Sequence, residues 1–363
     1  MTRPEPPRIA FHAPMKPPDH PNPSGDRRIA RLTLDALRAA GFAPELASTL
    51  RTLDLHGDPA RQSALTAEAD AEAARLIARY RPDPPAAWLS YHCYWKAPDL
   101  IGPRVAAALD LPYVVTEPIH SPKRREGPWS AFAEAAEDAL AAADLLLWST
   151  PRDLPQLAAR FPADRLAELP PFLDPGPEPP ARTPAGPLRL IAVAMMRPGD
   201  KLASYRALAA GLAAAPGLDA TLAVVGDGAA RAEVHALLPN ARFTGALDAA
   251  PLRAELEAAD LLVWPGVGEG FGMVYLEAQA AGLPCLAEDR PGPRHVLAPG
   301  ALIVPPDDPP SLAAALHRAA ADRPALAQAG AQARAHVLAR HSLSAAAETL
   351  GAHLRRLIAA RAR

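Results

Sequence analysis

Short apolar runs alternate with longer amphipathic stretches along this chain, stop at a proline-rich segment, and then begin again. Arg8 to His12 precedes a helical pattern from Arg28 to Ala40, Ala87 to Tyr91 precedes one from Ile101 to Leu109, and Tyr113 to Thr116 precedes one from Ala131 to Ala143. Such alternation predicts parallel strands joined by crossover helices, because a parallel pair cannot be closed by a tight turn. Asp174 to Pro187, DPGPEPPARTPAGP, has no periodicity and predicts a linker. The series then resumes with strands expected at Leu188 to Ala194, Thr221 to Val225, Arg242 to Thr244, Leu261 to Trp264, Pro284 to Ala287 and Ala301 to Val304. Helical patterns at Leu202 to Ala215, Ala229 to Leu238, Leu252 to Ala259 and Val274 to Ala281 fall between them.

The expectation is an α/β chain of two Rossmann-like, doubly wound domains, since 363 residues exceed what one ordinary core holds. Their expected limits are residues 1–175 and 188–341, with a Pro/Gly-rich linker at 176–187 and a terminal helix at 342–363. Ligands in such folds bind outside the carboxyl ends of the strands, which in a two-domain version is the cleft that the domains face.

Composition narrows the function classes. A net charge of -2 gives no global attraction to nucleic acid. No apolar stretch reaches the ~20 residues that a membrane span needs, and the first residues lack a signal-peptide run, so the expected compartment is the cytoplasm. Cys93 and Cys285 sit in apolar contexts and suit neither a disulfide framework nor a metal-ligand spacing, and no Asp-x-Asp occurs. No cofactor and no metal is therefore expected.

The run Trp264 to Ala287, WPGVGEGFGMVYLEAQAAGLPCLA, reads as strand end, glycine-rich turn, helix and strand. Glycines here permit close backbone approach, and the free N–H groups of the following helix favour an anion such as a phosphate. Glu269 in the turn and Glu277 in the helix can reach different parts of one ligand, and carboxylates accept hydrogen bonds from sugar and ribose hydroxyls.

This run resembles glycosyltransferase family 4, whose pattern EGFGxxxxEAxAxGxPxxA is matched at Glu269, Gly270, Phe271, Gly272, Glu277, Ala278, Ala280, Gly282, Pro284 and Ala287. The resemblance implies the GT-B fold, with the last helix crossing back to the N-terminal domain. It also implies transfer of a sugar from a nucleoside-diphosphate donor to a hydroxyl acceptor with retention, in polysaccharide, glycolipid or other glycoconjugate synthesis. Glu269 and the backbone of Gly270, Phe271, Gly272, Met273 and Val274 would hold the donor sugar and phosphate, and Glu277 the ribose. Arg197 and Lys201 resemble the family's cation pair on the diphosphate, although Met196 and Pro198 depart from its usual neighbours. Without an Asp-x-Asp clamp, these cations would make the transfer metal-independent.

The same resemblance assigns Gly226 of VVGDGAAR to a turn lining the cleft, Thr244 of RFTGAL to the nucleobase, and Gly25 of NPSGDRR to the donor phosphate. Ser24 or Asp26 is the expected helix cap beside that glycine. A histidine that the family often carries after the strand corresponding to Tyr113 to Thr116 has two candidate counterparts, Glu117 and His120, while His92 ends the strand before it. Arg27, Arg28 and Arg31, and Lys123, Arg124 and Arg125, suit an anionic acceptor, peripheral contact at the inner membrane face, or plain solvation. Two rival readings stay open: a non-catalytic relative, and a nicotinamide-dependent oxidoreductase, for which VVGDGAAR lacks the third glycine.

Overall fold

Residues 5–22, 24–180 and 186–361 are described in the computed structural model. The strands are short and parallel, as the alternation requires, and they form two separate six-stranded sheets. The chain divides into one unit that runs to Pro170 and takes in the residues from Leu343 onward, and a second unit, Pro171–Ser342. Residues 181–185 of the expected linker lie outside the described residues.

The first unit runs β1 (Arg8–His12), α1 (Gly25–Ala39), β2 (Ala43–Ser48), α2 (Pro59–Tyr80), β3 (Ala87–Tyr91), α3 (Gly102–Leu109), β4 (Tyr113–Thr116), α4 (Ser130–Ala142), β5 (Leu145–Trp148), α5 (Leu154–Ala158) and β6 (Leu166–Glu168). Its strand order is β2-β1-β3-β4-β5-β6, parallel throughout. Strands β3 and β4 are buried along their whole length, as expected of strands covered on both faces by crossover helices. Strand β2 and the long helix α2 add to the sequence expectation; β2 reads APELAS, too polar and too rich in alanine to stand out as a strand.

The second unit runs β7 (Leu188–Val193), α6 (Asp200–Ala213), β8 (Ala220–Val225), α7 (Arg231–Leu237), β9 (Arg242–Gly245), α8 (Ala249–Ala258), β10 (Leu261–Val263), α9 (Met273–Ala280), β11 (Cys285–Glu288), α10 (Pro291–Val296), β12 (Leu302–Val304), α11 (Pro309–Ala321) and α12 (Arg323–His336). Its order, β12-β11-β10-β7-β8-β9, is that of a dinucleotide-binding Rossmann sheet. Each expected strand is present within a residue or two of its expected limits.

Helix α13 (Leu343–Arg361) returns to the first unit and packs along α1, where Arg355 donates to the Ala40 carbonyl at 3.1 Å and Arg361 to Asp144 at 3.1 Å. Among the described residues, no helix is long and apolar enough to cross a membrane. Cys93 is buried but lies past the end of β3, in the turn that follows it.

Candidate functional site

In the second unit the strand order reverses between β7 and β10, and the turns leaving these two strands open the crevice where a doubly wound sheet binds its ligand. The β7 turn leads to Lys201 in α6, and the β10 turn carries Trp264 to Gly272. Several bonds fasten the two turns together. The Ser204 hydroxyl accepts from the Val267 N–H at 2.9 Å, and the Tyr205 hydroxyl donates to the Ala194 carbonyl at 2.8 Å. Tyr205 packs edge to face on Trp264 with centroids 5.0 Å apart. From the other side, the Tyr275 hydroxyl donates to the Trp264 carbonyl at 2.8 Å.

This scaffold fixes Glu269. Its Oε1 accepts from the Trp264 indole N–H at 2.9 Å and is bonded to the Lys201 ammonium, whose Nζ also lies 5.7 Å from the Trp264 ring centre. Both contacts fall on one carboxylate oxygen. Gly272 takes a left-handed backbone at φ 75°, and helix α9 begins behind it with Met273 and Val274 in its first turn and Glu277 half-buried farther along. Arg197 is exposed in the β7 turn. The topology thus brings Arg197, Lys201, Glu269, Gly270, Phe271, Gly272, Met273, Val274 and Glu277 to one end of one sheet.

Gly226 and Thr244 stand at the same end. The β8 turn is stitched to the β7 turn through Ala194 N–H to Val225 O at 3.0 Å and Met196 N–H to Asp227 O at 2.8 Å. A Cβ on Gly226 would lie 1.9 Å from the Ala194 carbonyl oxygen, and one on Gly228 would lie 2.3 Å from that of Met196. Backbone against backbone admits only glycine there. The Thr244 hydroxyl donates to the Gly245 carbonyl at 2.9 Å, at the carboxyl end of β9. A cavity of about 780 Å³ elsewhere in this unit lies against α6, β8 and α8, is lined by none of these residues, and is mostly alkyl-walled.

The first unit assembles a second cluster at the carboxyl ends of β3 and β4. His92 and Glu117 take left-handed backbone conformations, φ 61° and 53°, which strain non-glycine residues and gather at functional sites. The His92 Nδ1 is buried without a hydrogen-bond partner, 3.8 Å from the Asp26 carboxylate and 3.9 Å from that of Glu117. Burial raises the pKa of Glu117 above the ordinary carboxylate value, against the opposing pull of His92 and of the hydrogen bond from Tyr91. Ser24 is the cap of α1, its hydroxyl accepting from the Arg27 N–H at 3.2 Å, which leaves Asp26 in the first turn for the cluster. Gly25 sits beside it with nothing within 4 Å of where a Cβ would be, so its own chain does not demand a glycine.

His120 is built into a different arrangement. Its Nδ1 meets the Gln156 carbonyl at 3.0 Å and its Nε2 the Glu137 carboxylate at 3.2 Å, and Glu137 also holds Arg125 at 2.8 Å and Arg160 at 2.6 Å. Burial raises the Glu137 pKa, but the bonds from Arg160 and His120 outweigh it and hold the carboxylate below its ordinary range. Arg27 and Arg31 donate to the carbonyls of His20 and Pro18, each at 2.7 Å, and so brace the proline-rich loop before α1. Sequence reasoning took Asp26 only as a candidate helix cap and assigned no site role to Tyr91 or Trp264, though a tryptophan at a strand end beside a glycine-rich turn is a usable signal.

The family description "Glycosyl transferases group 1" matches residues 189–322, from β7 to the end of α11. Through that segment the chain is similar to the group 1 glycosyltransferases. The chain is 43% identical over 81 residues to a GDP-mannose-dependent alpha-mannosyltransferase of Mycolicibacterium smegmatis, which is 22% of either protein. It is 38% identical over 104 residues to a phosphatidyl-myo-inositol mannosyltransferase of Mycobacterium leprae, covering 27% of this chain and 28% of that one. The matches therefore span only about a quarter of these curated relatives' length. In fold, the chain is similar to sucrose-phosphate synthase from Thermosynechococcus elongatus, with a TM-score of 0.68 and 22% identity over 97% of this chain and 99% of that one.

Proposed function

We propose that this chain transfers a sugar from a nucleoside-diphosphate donor to a hydroxyl acceptor, with GDP-mannose as the donor. The observation that carries the reading is the Lys201–Glu269 pair at the strand-order reversal of the second unit, followed by a glycine-lined turn and a helix bearing Glu277. GDP-mannose enters because the similar M. smegmatis protein is described as dependent on it.

In this reaction the bond from the anomeric carbon to the β-phosphate oxygen breaks and a bond to the acceptor oxygen forms. The acceptor proton passes to the leaving diphosphate. Lys201, Arg197 and the first N–H groups of α9 balance the charge that grows on the diphosphate, a stabilisation aimed at the transition state. Glu269, with one oxygen committed to Lys201 and Trp264, offers the other to sugar hydroxyls. Glu277 accepts from the ribose, and the turns at Gly226 and Thr244 flank the base. Such transfer retains the anomeric configuration and needs no metal, because protein cations supply the positive charge.

The second unit is read as the donor-binding domain and the first as the acceptor-side domain, where His92 and Glu117 orient the reacting hydroxyl. The acceptor is a sugar or a lipid-linked hydroxyl compound, and the protein works on the cytoplasmic side of a membrane or free of it.

A mass-resolved panel of nucleotide-sugars, incubated with the protein and scored for slow hydrolysis, tests the reading. GDP-mannose should release GDP faster than the UDP and ADP sugars do. Turnover of none of them, or stabilisation against heat by NAD alone, would overturn the proposal.

A further inference from the structure

Two cations in the first unit stand on aromatic rings rather than beside acids. The Lys96 Nζ lies 4.9 Å from the Trp95 ring centre and 5.4 Å from that of Trp129, and the Arg124 guanidinium lies 4.2 Å and 5.8 Å from the same two rings. Those rings meet edge to face with centroids 5.1 Å apart. Among the described residues, neither cation has an acidic partner, whereas the neighbouring Arg125 is taken by Glu137. Cation–π contacts at a partly exposed site attract only modestly. That is enough to position the two heads but leaves their full charges unneutralised and mutually repelling.

The platform is built, not incidental. Tyr94 and Ala97 close a two-residue turn through N–H to O bonds of 3.3 and 2.9 Å, which puts Trp95 and Lys96 at its tip. The Trp129 indole donates to the Asp54 carbonyl at 3.2 Å, and Asp54 in turn gathers the N–H groups of His56 and Asp58, each at 2.9 Å, and the Gln62 amide at 2.8 Å. The loops after β3 and β4 are joined by Ile119 N–H to Cys93 O at 3.1 Å. Both loops leave the carboxyl ends of their strands, where this fold binds ligands. From the platform, Tyr94 packs on Trp95 at 6.0 Å and on His92 at 4.9 Å between centroids, so the aromatic row ends at the unpartnered His92 Nδ1.

We infer that Lys96 and Arg124, held over Trp95 and Trp129, form an anion subsite that takes a phosphate ester group of the acceptor. A phosphate with oxygens spread over both heads satisfies two cations that have no acid of their own. The indole edges give the rest of the ligand an apolar wall, and the row through Tyr94 leads to the strained His92 and Glu117. Assigning the ligand to the acceptor rests on the glycosyl-transfer reading; the existence of the anion subsite does not.

The test titrates two probes, glycerol 3-phosphate and phosphatidylglycerol-containing vesicles, against the wild type and a K96A/R124A variant, reading tryptophan emission and co-sedimentation. A variant with the same charge loss on exposed helix faces, R318A/R356A, controls for bulk electrostatics. A saturable response to at least one probe is expected, at least tenfold weaker in K96A/R124A and retained in R318A/R356A. Response to the soluble ester assigns a free phosphorylated acceptor, and response to vesicles alone assigns a lipid headgroup. No saturable response to either probe, or equal affinity in K96A/R124A, overturns the inference. GDP affinity is measured on the same samples. A normal GDP titration with a lost probe response locates the defect at the subsite, while failure of GDP to bind any sample sinks the donor reading and leaves the anion test standing. If K96A/R124A loses both, K96Q and R124Q are read singly, each expected to weaken the probe at least threefold.

Discussion

Lys201 in the first turn of α6 and Glu269 in the turn after β10 share one carboxylate oxygen with the Trp264 indole, so a cation, an acid and an aromatic ring are locked into a single corner of the second unit. Two explanations of that corner make different predictions. If Lys201 served only to neutralise a half-buried acid, then removing both partners together would restore what removing one destroys. If instead each faces the donor, K201A, E269Q and the double variant should each lower turnover by about 100-fold, the loss typical of a missing transition-state contact. Steady-state kinetics with GDP-mannose across the three variants decides it, and rescue in the double variant would remove Lys201 from the chemistry.

The strained pair in the first unit makes a prediction that separates function from stability. Burial raises the Glu117 pKa, so the folded protein holds that proton more tightly than the unfolded chain does. Stability therefore falls as pH rises from the ordinary carboxylate range through the raised value, and at neutral pH this group costs stability. E117Q should melt no lower than the wild type at neutral pH, flatten that part of the pH–stability profile, and still lose about 100-fold in turnover. A variant that melts lower and turns over normally would make Glu117 a structural residue.

How much of this was legible in the sequence depends on whether the residues involved lie together in the chain. The corner of the second unit was legible because Glu269, the glycines and Glu277 fall in one strand–turn–helix, where spacing alone fixes their order. The cluster in the first unit was not, because Asp26, His92 and Glu117 come from the ends of three different elements and meet only when α1 is set against β3 and β4. His120 looked equivalent to Glu117 by position; only the structure gives it Glu137 and the Gln156 carbonyl. The same holds for the fold. Mostly apolar strands such as β7, LRLIAV, stand out, whereas β2 at the sheet edge carries Pro44 and Glu45, and the latter is there to bond the Tyr80 hydroxyl at 2.9 Å.

The glycines of the β8 turn are held by close approach of one backbone to another. G226A and G228A each drive a methyl group into a carbonyl oxygen, of Ala194 or Met196, at a φ of 141° or 149° that side chains disfavour. Each should destabilise the second unit by about 2 kcal/mol or more, from the strain and overpacking together. Chemical denaturation monitored by circular dichroism measures this, and a wild-type midpoint for either variant would mean the turn is looser than described.

Asp99 anchors the interior of the first unit. It is fully buried and bonded to His12 at 3.1 Å, the Tyr113 hydroxyl at 2.8 Å and the Gly102 N–H at 2.9 Å. Burial alone would raise its pKa, but the bonds from His12, Gly102 and Ser90 outweigh that and hold it well below the carboxylate range. A depressed carboxylate adds stability that is fully present above the unfolded value of about 4 and is lost as pH falls below it. D99N should cost about 3 kcal/mol at neutral pH by leaving the buried His12 without its partner, and should unfold with a flatter acid limb. An unchanged acid limb would mean that another group governs the acid transition.

The claim on which the account turns is that the second unit binds the donor's nucleotide through Glu277. Calorimetric titration of GDP into the wild type and into E277A measures it without any knowledge of the acceptor. Saturable one-to-one binding to the wild type is expected, with a loss of about 1.5–3 kcal/mol in E277A, roughly ten- to a hundredfold in Kd, as for hydrogen bonds to a charged group. Equal affinity in the two proteins would contradict it.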